Sequence, residues 1–563
     1  MTDFNPANPL IVQGDHTILV EVNSPRYEPA RNELVRFAEL VKSPEHIHTY
    51  RITPLSIWNA RAAGIPATQI TGALCEFAKY PIPEHVLVEI NDFASRFGRL
   101  KLHGNGTGLR LSADTETLAE EIFHTPAIRD LLEKRTSDKA FLVRAGDRGR
   151  IKQALIKAGF PAEDLAGYVE GRPVHFFVRT ATRAGVPFAF RPYQQQAAET
   201  FHAGGSERGG AGVIVLPCGA GKTIVGISCM AQLQTSTLIL TTNVTAIRQW
   251  KDELLDKTTL SETDIGEYSG SAKEICQVTI ATYQIMTYRP DREGAFPHLT
   301  LFDDHNWGLI IYDEVHMLPA PVFQVTAGLQ ARRRLGLTAT LVREDGKEDD
   351  VFALIGPKKV DVPWKEMERQ GWIAKARCCE IRIPLPRDLG MTYAVADKRR
   401  KFRIASENPA KQDLVRKIMA RHKGSQILLI GMYVDQLKDL ADGLCVPLIS
   451  GSTPQKTRDR LYRDFKDGGI STLAVSKVAN FAVDLPDASV AIQISGTFGS
   501  RQEEAQRLGR ILRPKPGENQ AYFYSLVTRD TVEQEFALKR QLFLCEQGYE
   551  YAIRTGDSFQ ASW

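Results

Sequence analysis

A short apolar run, Val213-Ile214-Val215-Leu216, leads into Pro217-Cys218-Gly219-Ala220-Gly221-Lys222-Thr223. Ninety-one residues after Lys222 a second apolar run, Leu309-Ile310-Ile311-Tyr312, ends in Asp313-Glu314. A Gly-rich turn between a buried strand and a helix aims backbone N–H groups and a helix N-terminus at an anion. Lys222 offers a point charge to outer phosphates, and the Thr223 hydroxyl suits Mg²⁺. An apolar run of strand length reads as a buried parallel strand. Asp313 at its end would set a carboxylate beside the metal, and Glu314 would orient or deprotonate a water. The usual phosphate-loop spacing has a Gly five residues before Gly221, where Leu216 stands. Each stretch alone also fits a plain turn or an acidic strand end. In this order and context the two imply nucleoside triphosphate binding and hydrolysis.

A chain of 563 residues exceeds what one core supports, so several domains are expected. Lys plus Arg number 71 and Asp plus Glu 67, a net charge of +4, so a nucleic-acid surface has to be local. Eight Cys show no C-x-x-C pair, and Cys378-Cys379 has no His at ligand spacing, which argues against structural zinc. Free thiols in a reducing compartment fit better. Met1–Val12 lacks a basic, then apolar, leader, and no run approaches the roughly 20 apolar residues of a bilayer span. A cytoplasmic protein, nucleoid-associated if bacterial, is expected, without membrane contact.

Residues 1–115 read as a small α/β or α+β unit. Ile18–Val22 is strand-like, Ala30–Val41 helix-like through Leu34, Phe37, Ala38 and Val41, and Thr53-Pro54 starts a helix. A second small unit, 116–186, has strand-like Phe141–Val143 and Val174–Val178 around a helix at Arg150–Ala158. Neither carries a catalytic constellation; packing, partner binding and nucleic-acid contact all remain open for them. From 187 to 365, five short apolar strands alternate with helix-length segments, the pattern of a doubly wound parallel sheet with ligands at the carboxyl ends of its strands. A similar block fills 366–550, and a tail of 551–563 follows. The expected fold is α/β, with two tandem parallel-sheet lobes after two small domains.

In the second block, Gln506, Arg510 and Arg513 fall on one helical face, while Ala505, Leu508 and Leu512 fall on another. An Arg fork matches phosphate and stabilises transferring charge; a solvated basic face is the plain alternative. With these residues the chain resembles superfamily 2 helicases, and within them the XPB-type 3′–5′ DNA helicases in their compact bacterial or archaeal form. The resemblance implies RecA-like lobes at 187–365 and 366–550, an XPB amino-terminal-like domain at 1–115 and a damage-recognition-like domain at 116–186. It implies ATP and Mg²⁺ as cofactors, with adenine read by Arg191 and Gln194. Thr241-Thr242-Asn243 through Gln249-Trp250, and Ala281–Gln284, match strand-contacting motifs. Thr338 and Thr340 match the motif linking hydrolysis to movement, and Arg343-Glu344-Asp345 a charged triplet implicated in unwinding. Ser476–Ala479 with Asp484–Pro486 matches the fifth motif, and Gln506 to Arg513 the sixth. The thumb-like insertion maps to Lys398-Arg399-Arg400-Lys401-Phe402-Arg403.

That basic run, on its residues alone, could track a phosphate backbone and stack a base, or be a solvated loop. His316 reads as a hydrogen-bonding relay of nucleotide state or as a satisfied buried His. The leading reading is an ATP-dependent 3′–5′ DNA helicase in DNA repair, including nucleotide excision repair. Its partners would be single-stranded DNA, duplex junctions and a nuclease or repair protein. The alternatives are a double-strand translocase that does not unwind, and an ATP-switched damage-binding scaffold.

Overall fold

The structure is a computed structural model. It describes the chain except residues 1–3, 43–45, 106–107, 207–208, 218, 292–295, 320–321, 323–324, 327–331, 340–347, 363, 477–487, 497–506, 510, 513–518, 547–548, 550 and 557–563. The chain divides into two compact units. The first is 1–41, 46–216 and 221–361, and the second is 42–45, 217–220 and 362–563.

The first unit contains three sheets. A four-stranded sheet orders Leu10–Val12, Thr17–Glu21, Ile47–Arg51 and Glu39–Lys42. The helix Pro54–Ala62 starts as its residues dictate. The Thr53 hydroxyl accepts from Ser56 N at 3.1 Å, the Ser56 hydroxyl closes the box, and Pro54 fills the first turn. A five-stranded sheet takes Leu100–Asn105 and Gly108–Ala113 together with Leu132–Ser137, Ala140–Val143 and Ala162–Leu165. The boundary read at 115/116 therefore falls inside one sheet, because Leu109–Ser112 hydrogen-bonds to Ala140–Val143.

Ala30–Val41 is not one helix: the helix is Tyr27–Leu34, and the chain turns into the strand Glu39–Lys42. Leu34, Phe37 and Ala38 are all buried, so the apolar spacing is satisfied through a turn. Val174–Val178 is extended and alternates, with Val174 and Phe176 buried and Phe177 exposed, but it joins no sheet. Val174 N donates to Gln234 O at 2.9 Å and Arg179 N to Lys257 O at 2.8 Å. The backbone partners lie at two helix C-termini, whose last carbonyls need donors.

The third sheet has seven parallel strands in the order Ile265–Tyr268, Val278–Thr282, Thr237–Thr241, Leu309–Asp313, Arg333–Thr338, Ala211–Val215 and Lys358–Asp361. Ala211–Val215, Thr237–Thr241 and Val278–Thr282 are buried throughout, as a sheet covered on both faces requires.

The second unit repeats the design. Its parallel strands run Leu448–Ile449, Thr472–Ser476, Ile427–Gly431, Val490–Gln493, Gln520–Thr528, Lys375–Ile383 and Tyr551–Thr555. The chain thus carries two RecA-like α/β lobes. Tyr551–Thr555 pairs with Cys378–Arg382, so residues read as a tail close the edge of this sheet. The basic run is the start of a helix, Lys398–Ser406, not a loop. Asp397 Oδ1 caps it by accepting from Arg399 N and Arg400 N at 2.9 and 3.0 Å. No described helix is long and apolar enough to cross a membrane.

Candidate active site

Three neighbouring strands of the first lobe deliver the site at their carboxyl ends, where open α/β sheets bind ligands. Ala211–Val215 leads into the Gly-rich turn, Leu309–Asp313 ends in the first acid, and Arg333–Thr338 lies between them. Leu216 N donates to Thr338 O at 3.0 Å and pins the turn's start to that strand. Gly219 and Gly221 have φ of +82° and +80°, conformations that a side chain resists. A Cβ on Gly221 would stand 2.7 Å from Gln194 Nε2, so a side chain there would have to displace the Gln194 amide. Gln194 is buried, and its Oε1 accepts from Arg191 N at 3.0 Å, which sets both residues beside the turn. Lys222 and Thr223 open the helix Lys222–Leu233.

Glu314 has φ +50°, a left-handed conformation rare outside glycine and a local strain. It turns the chain out of the strand into the short turn Val315–Met317. The Lys222 ammonium and Glu314 Oε1 form a direct ion pair. Glu314 Oε2 accepts no hydrogen bond among the described residues and lies 3.5 Å from His316 Nδ1. That same Nδ1 is 2.7 Å from the Thr338 hydroxyl, and both residues are buried. His316 therefore stands between the acid, 3.5 Å away, and the end of the neighbouring strand, to which it is hydrogen-bonded.

Asp313 is held from two sides. Its Oδ2 accepts from Trp250 Nε1 at 3.0 Å, and its carbonyl from Tyr283 OH at 3.0 Å. Burial, then the adjacent Glu314 charge, push its pKa up to about 6 against the pull of Lys222. Burial also works against ionised Glu314, but Lys222 and His316 outweigh it and hold Glu314 below the usual carboxylate range. One carboxylate is thus braced by a cation. The other stands beside a like charge, which a divalent cation would relieve. The Lys222 charge, the glycine cradle and this acidic pair fit a triphosphate with its metal.

Trp250 and Tyr283 lie in motifs read as strand contacts, yet both are buried and serve Asp313. A Cβ on Gly226, one turn into the helix after Lys222, would meet Trp250 at 2.5 Å, so the indole reaches Asp313 only over a glycine. Asn243 caps the helix Val244–Lys257 by accepting from Ala246 N at 2.9 Å, while Gln284 is exposed. Sequence reasoning missed the Trp250 and Tyr283 roles. The helical apolar spacing that buries Trp250 with Ile247 and Leu254 was the available signal.

In the second lobe, Arg507 is fully buried and donates to Gln493 Oε1 at the end of Val490–Gln493. Leu508 and Leu512 are buried beside it, as their spacing implied. This anchors the short helical stretch 507–509. Gln506, Arg510 and Arg513 lie outside the described residues, as do Thr340 and Arg343-Glu344-Asp345. Of the basic run, Lys398, Arg399 and Arg400 are exposed and Lys401 is half-buried. Phe402 is fully buried against Phe536, ring centroids 5.2 Å apart at 89°, so it cannot stack a base.

Comparisons with known proteins agree over the whole chain. A family model described as ERCC3/RAD25/XPB C-terminal helicase matches residues 367–561. One described as type III restriction enzyme, res subunit, matches 187–343, and one described as helicase conserved C-terminal domain matches 10–137. The chain is 53% identical to "DNA 3'-5' helicase XPB" of Kineococcus radiotolerans, over 99% of this chain and 97% of that protein. It is 52% identical to the protein of the same name from Mycobacterium tuberculosis, over 99% of each. A third relative, the "General transcription and DNA repair factor IIH helicase/translocase subunit XPB" of Enterocytozoon bieneusi, is 33% identical over 97% of this chain and 93% of its own. With the parallel-sheet lobes and the lysine–carboxylate site already in place, these similarities show that the chain belongs to the XPB family of superfamily 2 DNA helicases.

Proposed function

We propose that the chain is an ATP-dependent 3′–5′ DNA helicase acting in DNA repair, and that the site around Lys222 and Glu314 powers it. The observation that carries this reading is the ion pair of Lys222 with Glu314, next to Asp313 and linked through His316 to Thr338. Gly219, Gly221 and the first turn of the helix at Lys222 present backbone N–H groups to the phosphates, and Lys222 leaves Glu314 to meet them. Thr223 and Asp313 would hold Mg²⁺, which neutralises charge on the outer phosphates. Glu314, released from Lys222, accepts a proton from the attacking water. Arg191 and Gln194 hold the adenine end.

Arg510, with Arg513 and Gln506, supplies positive charge from the second lobe at the transferring phosphate. His316 passes the state of Glu314 to Thr338 and onward to Thr340. Arg343-Glu344-Asp345 acts at strand separation, and Lys398, Arg399, Arg400 and Lys401 track phosphates of single strands and duplex junctions. The two small domains, assigned as amino-terminal-like and damage-recognition-like, serve damaged DNA, and a nuclease or other repair protein completes the reaction. The protein works in the cytoplasm, at the nucleoid if its source is bacterial.

The test is DNA-stimulated ATP turnover and strand displacement by the full chain and by Lys222→Ala. Loss of both activities in the variant is expected. Turnover that survives Lys222→Ala would remove the site from the mechanism.

A further inference from the structure

The helix Lys398–Ser406 exposes Lys398, Arg399 and Arg400 at its start, while its other end is tied into the interior of the second unit. The Ala405 carbonyl accepts from the Thr528 hydroxyl at 2.7 Å, and the Ser406 carbonyl from Gln436 Nε2 at 2.7 Å. Just beyond, Asn408 Nδ2 donates to Pro384 O at 3.0 Å and to the Thr528 hydroxyl at 3.2 Å. On the flank, Phe402 packs on Phe536 of the helix Val532–Glu546, and Lys398 Nζ stands 5.7 Å from the same ring.

Lys411 follows three residues after Asn408, in the helix Ala410–Arg421. The side chains of Lys411 and Glu533 are buried almost completely, at 1% and 0% exposure. Lys411 Nζ donates to Glu533 Oε1 at 2.7 Å, to Glu533 Oε2 at 2.9 Å and to the Ile494 carbonyl at 2.9 Å, which matches its three hydrogens. Glu533 Oε2 also accepts from Thr528 N at 2.8 Å. Ile494 directly follows the strand Val490–Gln493, whose Gln493 holds Arg507. Around it, Ile494 N donates to Ile430 O at 2.8 Å, and Met432 N to the Ser495 hydroxyl at 2.8 Å. A Cβ on Gly496 would strike the guanidinium of Arg540, which lies about two turns beyond Glu533 on the same helix. The helix Val532–Glu546 therefore meets the basic helix through Phe536, and the strand end through Glu533 with Lys411 and through Arg540.

A buried ion pair holds its elements together no better than packed apolar side chains would. What Lys411 adds is position, because its third bond fixes a backbone carbonyl next to Gln493. Energetic coupling between distant sites is carried by packed and hydrogen-bonded parts of this kind. We infer that Lys411 is a positioning residue that couples DNA binding at the basic helix to ATP hydrolysis, through the strand end that carries Gln493 and its partner Arg507. The inference rests on the helicase reading above, in which Lys398, Arg399, Arg400 and Lys401 meet the strand and Arg510 meets the transferring phosphate. Arg507 stands three residues before Arg510, so a shift of Gln493 is passed toward that arginine.

The test is ATP turnover by the full chain with and without 3′-tailed DNA, in Lys411→Met alone and in Lys411→Met combined with Glu533→Gln. The second substitution neutralises the acid that the first leaves unpaired, and it keeps an acceptor for Thr528 N. The ratio of DNA-stimulated to basal turnover should fall about 3- to 30-fold in both variants. Basal turnover, ATP affinity and single-strand affinity should stay within about twofold of normal. Thermal unfolding should come earlier in Lys411→Met and return toward normal in the double variant, without return of the ratio. Loss of folded protein lowers basal and stimulated turnover together, so the ratio reads coupling even where a variant is less stable. A ratio within about twofold of normal, or one that recovers with thermal stability in the double variant, would overturn the inference. An unaltered chain that shows no DNA stimulation would instead overturn the helicase reading, and the inference with it.

Discussion

Glu314→Gln separates the two tasks of this carboxylate. In the nucleotide-free chain Glu314 competes with phosphate for Lys222. Both side chains are largely buried, at 12% and 18% exposure, so the pair keeps most of its strength. A hydrogen bond to a charged group contributes about 1.5–3 kcal/mol and a neutral one about 0.5–1.5. Replacing the acid with an amide should therefore release Lys222 by about 1 kcal/mol and tighten ATP binding roughly fivefold. The same change removes the proton acceptor and should slow hydrolysis by about 10² to 10⁴. Equilibrium ATP binding with Mg²⁺ and single-turnover hydrolysis read the two effects separately.

A pH dependence follows. Asp313, pushed up to about 6 by burial and the Glu314 charge, must be ionised to hold a cation. Mg²⁺-dependent ATP binding should fall as pH drops through about 6. In Glu314→Gln the like charge is gone, so that limb should move to lower pH. Weaker ATP binding in Glu314→Gln, or hydrolysis within about threefold of normal, would refute the competition argument.

Three other outcomes are expected. Trp250→Phe keeps the ring but loses the bond to Asp313, and should weaken Mg²⁺-dependent turnover about 10- to 100-fold, read as the Mg²⁺ dependence of ATP hydrolysis. Neutralising Lys398, Arg399, Arg400 and Lys401 should flatten the salt dependence of single-strand binding, which otherwise falls with a slope of roughly −0.7 per phosphate contact; an unchanged slope would make them a solvated helix face. Replacing Arg343, Glu344 and Asp345 with Ala should reduce strand displacement much more than DNA-stimulated ATP hydrolysis on one 3′-tailed substrate, and equal loss of both would assign the triplet to the ATP site.

The parallel strands were legible because a sheet covered on both faces needs continuous apolar runs, and each such run in the two lobes became a strand. Thr53-Pro54 announced its helix because the cap is a local interaction. The signal failed where burial was reached by other means. Leu34, Phe37 and Ala38 kept helical spacing, yet a turn buries them equally well. Val174–Val178 alternates like a strand, but its hydrogen bonds go to helix ends that no local pattern reveals. Phe402 looked available among five cations, although the helix that carries it turns the ring inward. Asp313 and Glu314 were visible as acids at a strand end. That Trp250 holds one and Lys222 the other depends on contacts across 63 and 92 residues, beyond any local pattern.

Nucleotide chemistry at Lys222 and Glu314 is expected to drive the chain along DNA in one direction. Strand displacement with ATP and Mg²⁺ on matched duplexes bearing a 3′ tail, a 5′ tail or no tail, with Glu314→Gln as control, tests it most directly. Displacement of the 3′-tailed duplex alone is expected, accompanied by DNA-stimulated ATP hydrolysis and abolished in Glu314→Gln. Displacement that favours the 5′ tail, or that persists in Glu314→Gln, would contradict it; ATP-driven movement on blunt duplex without separation would make the chain a translocase instead.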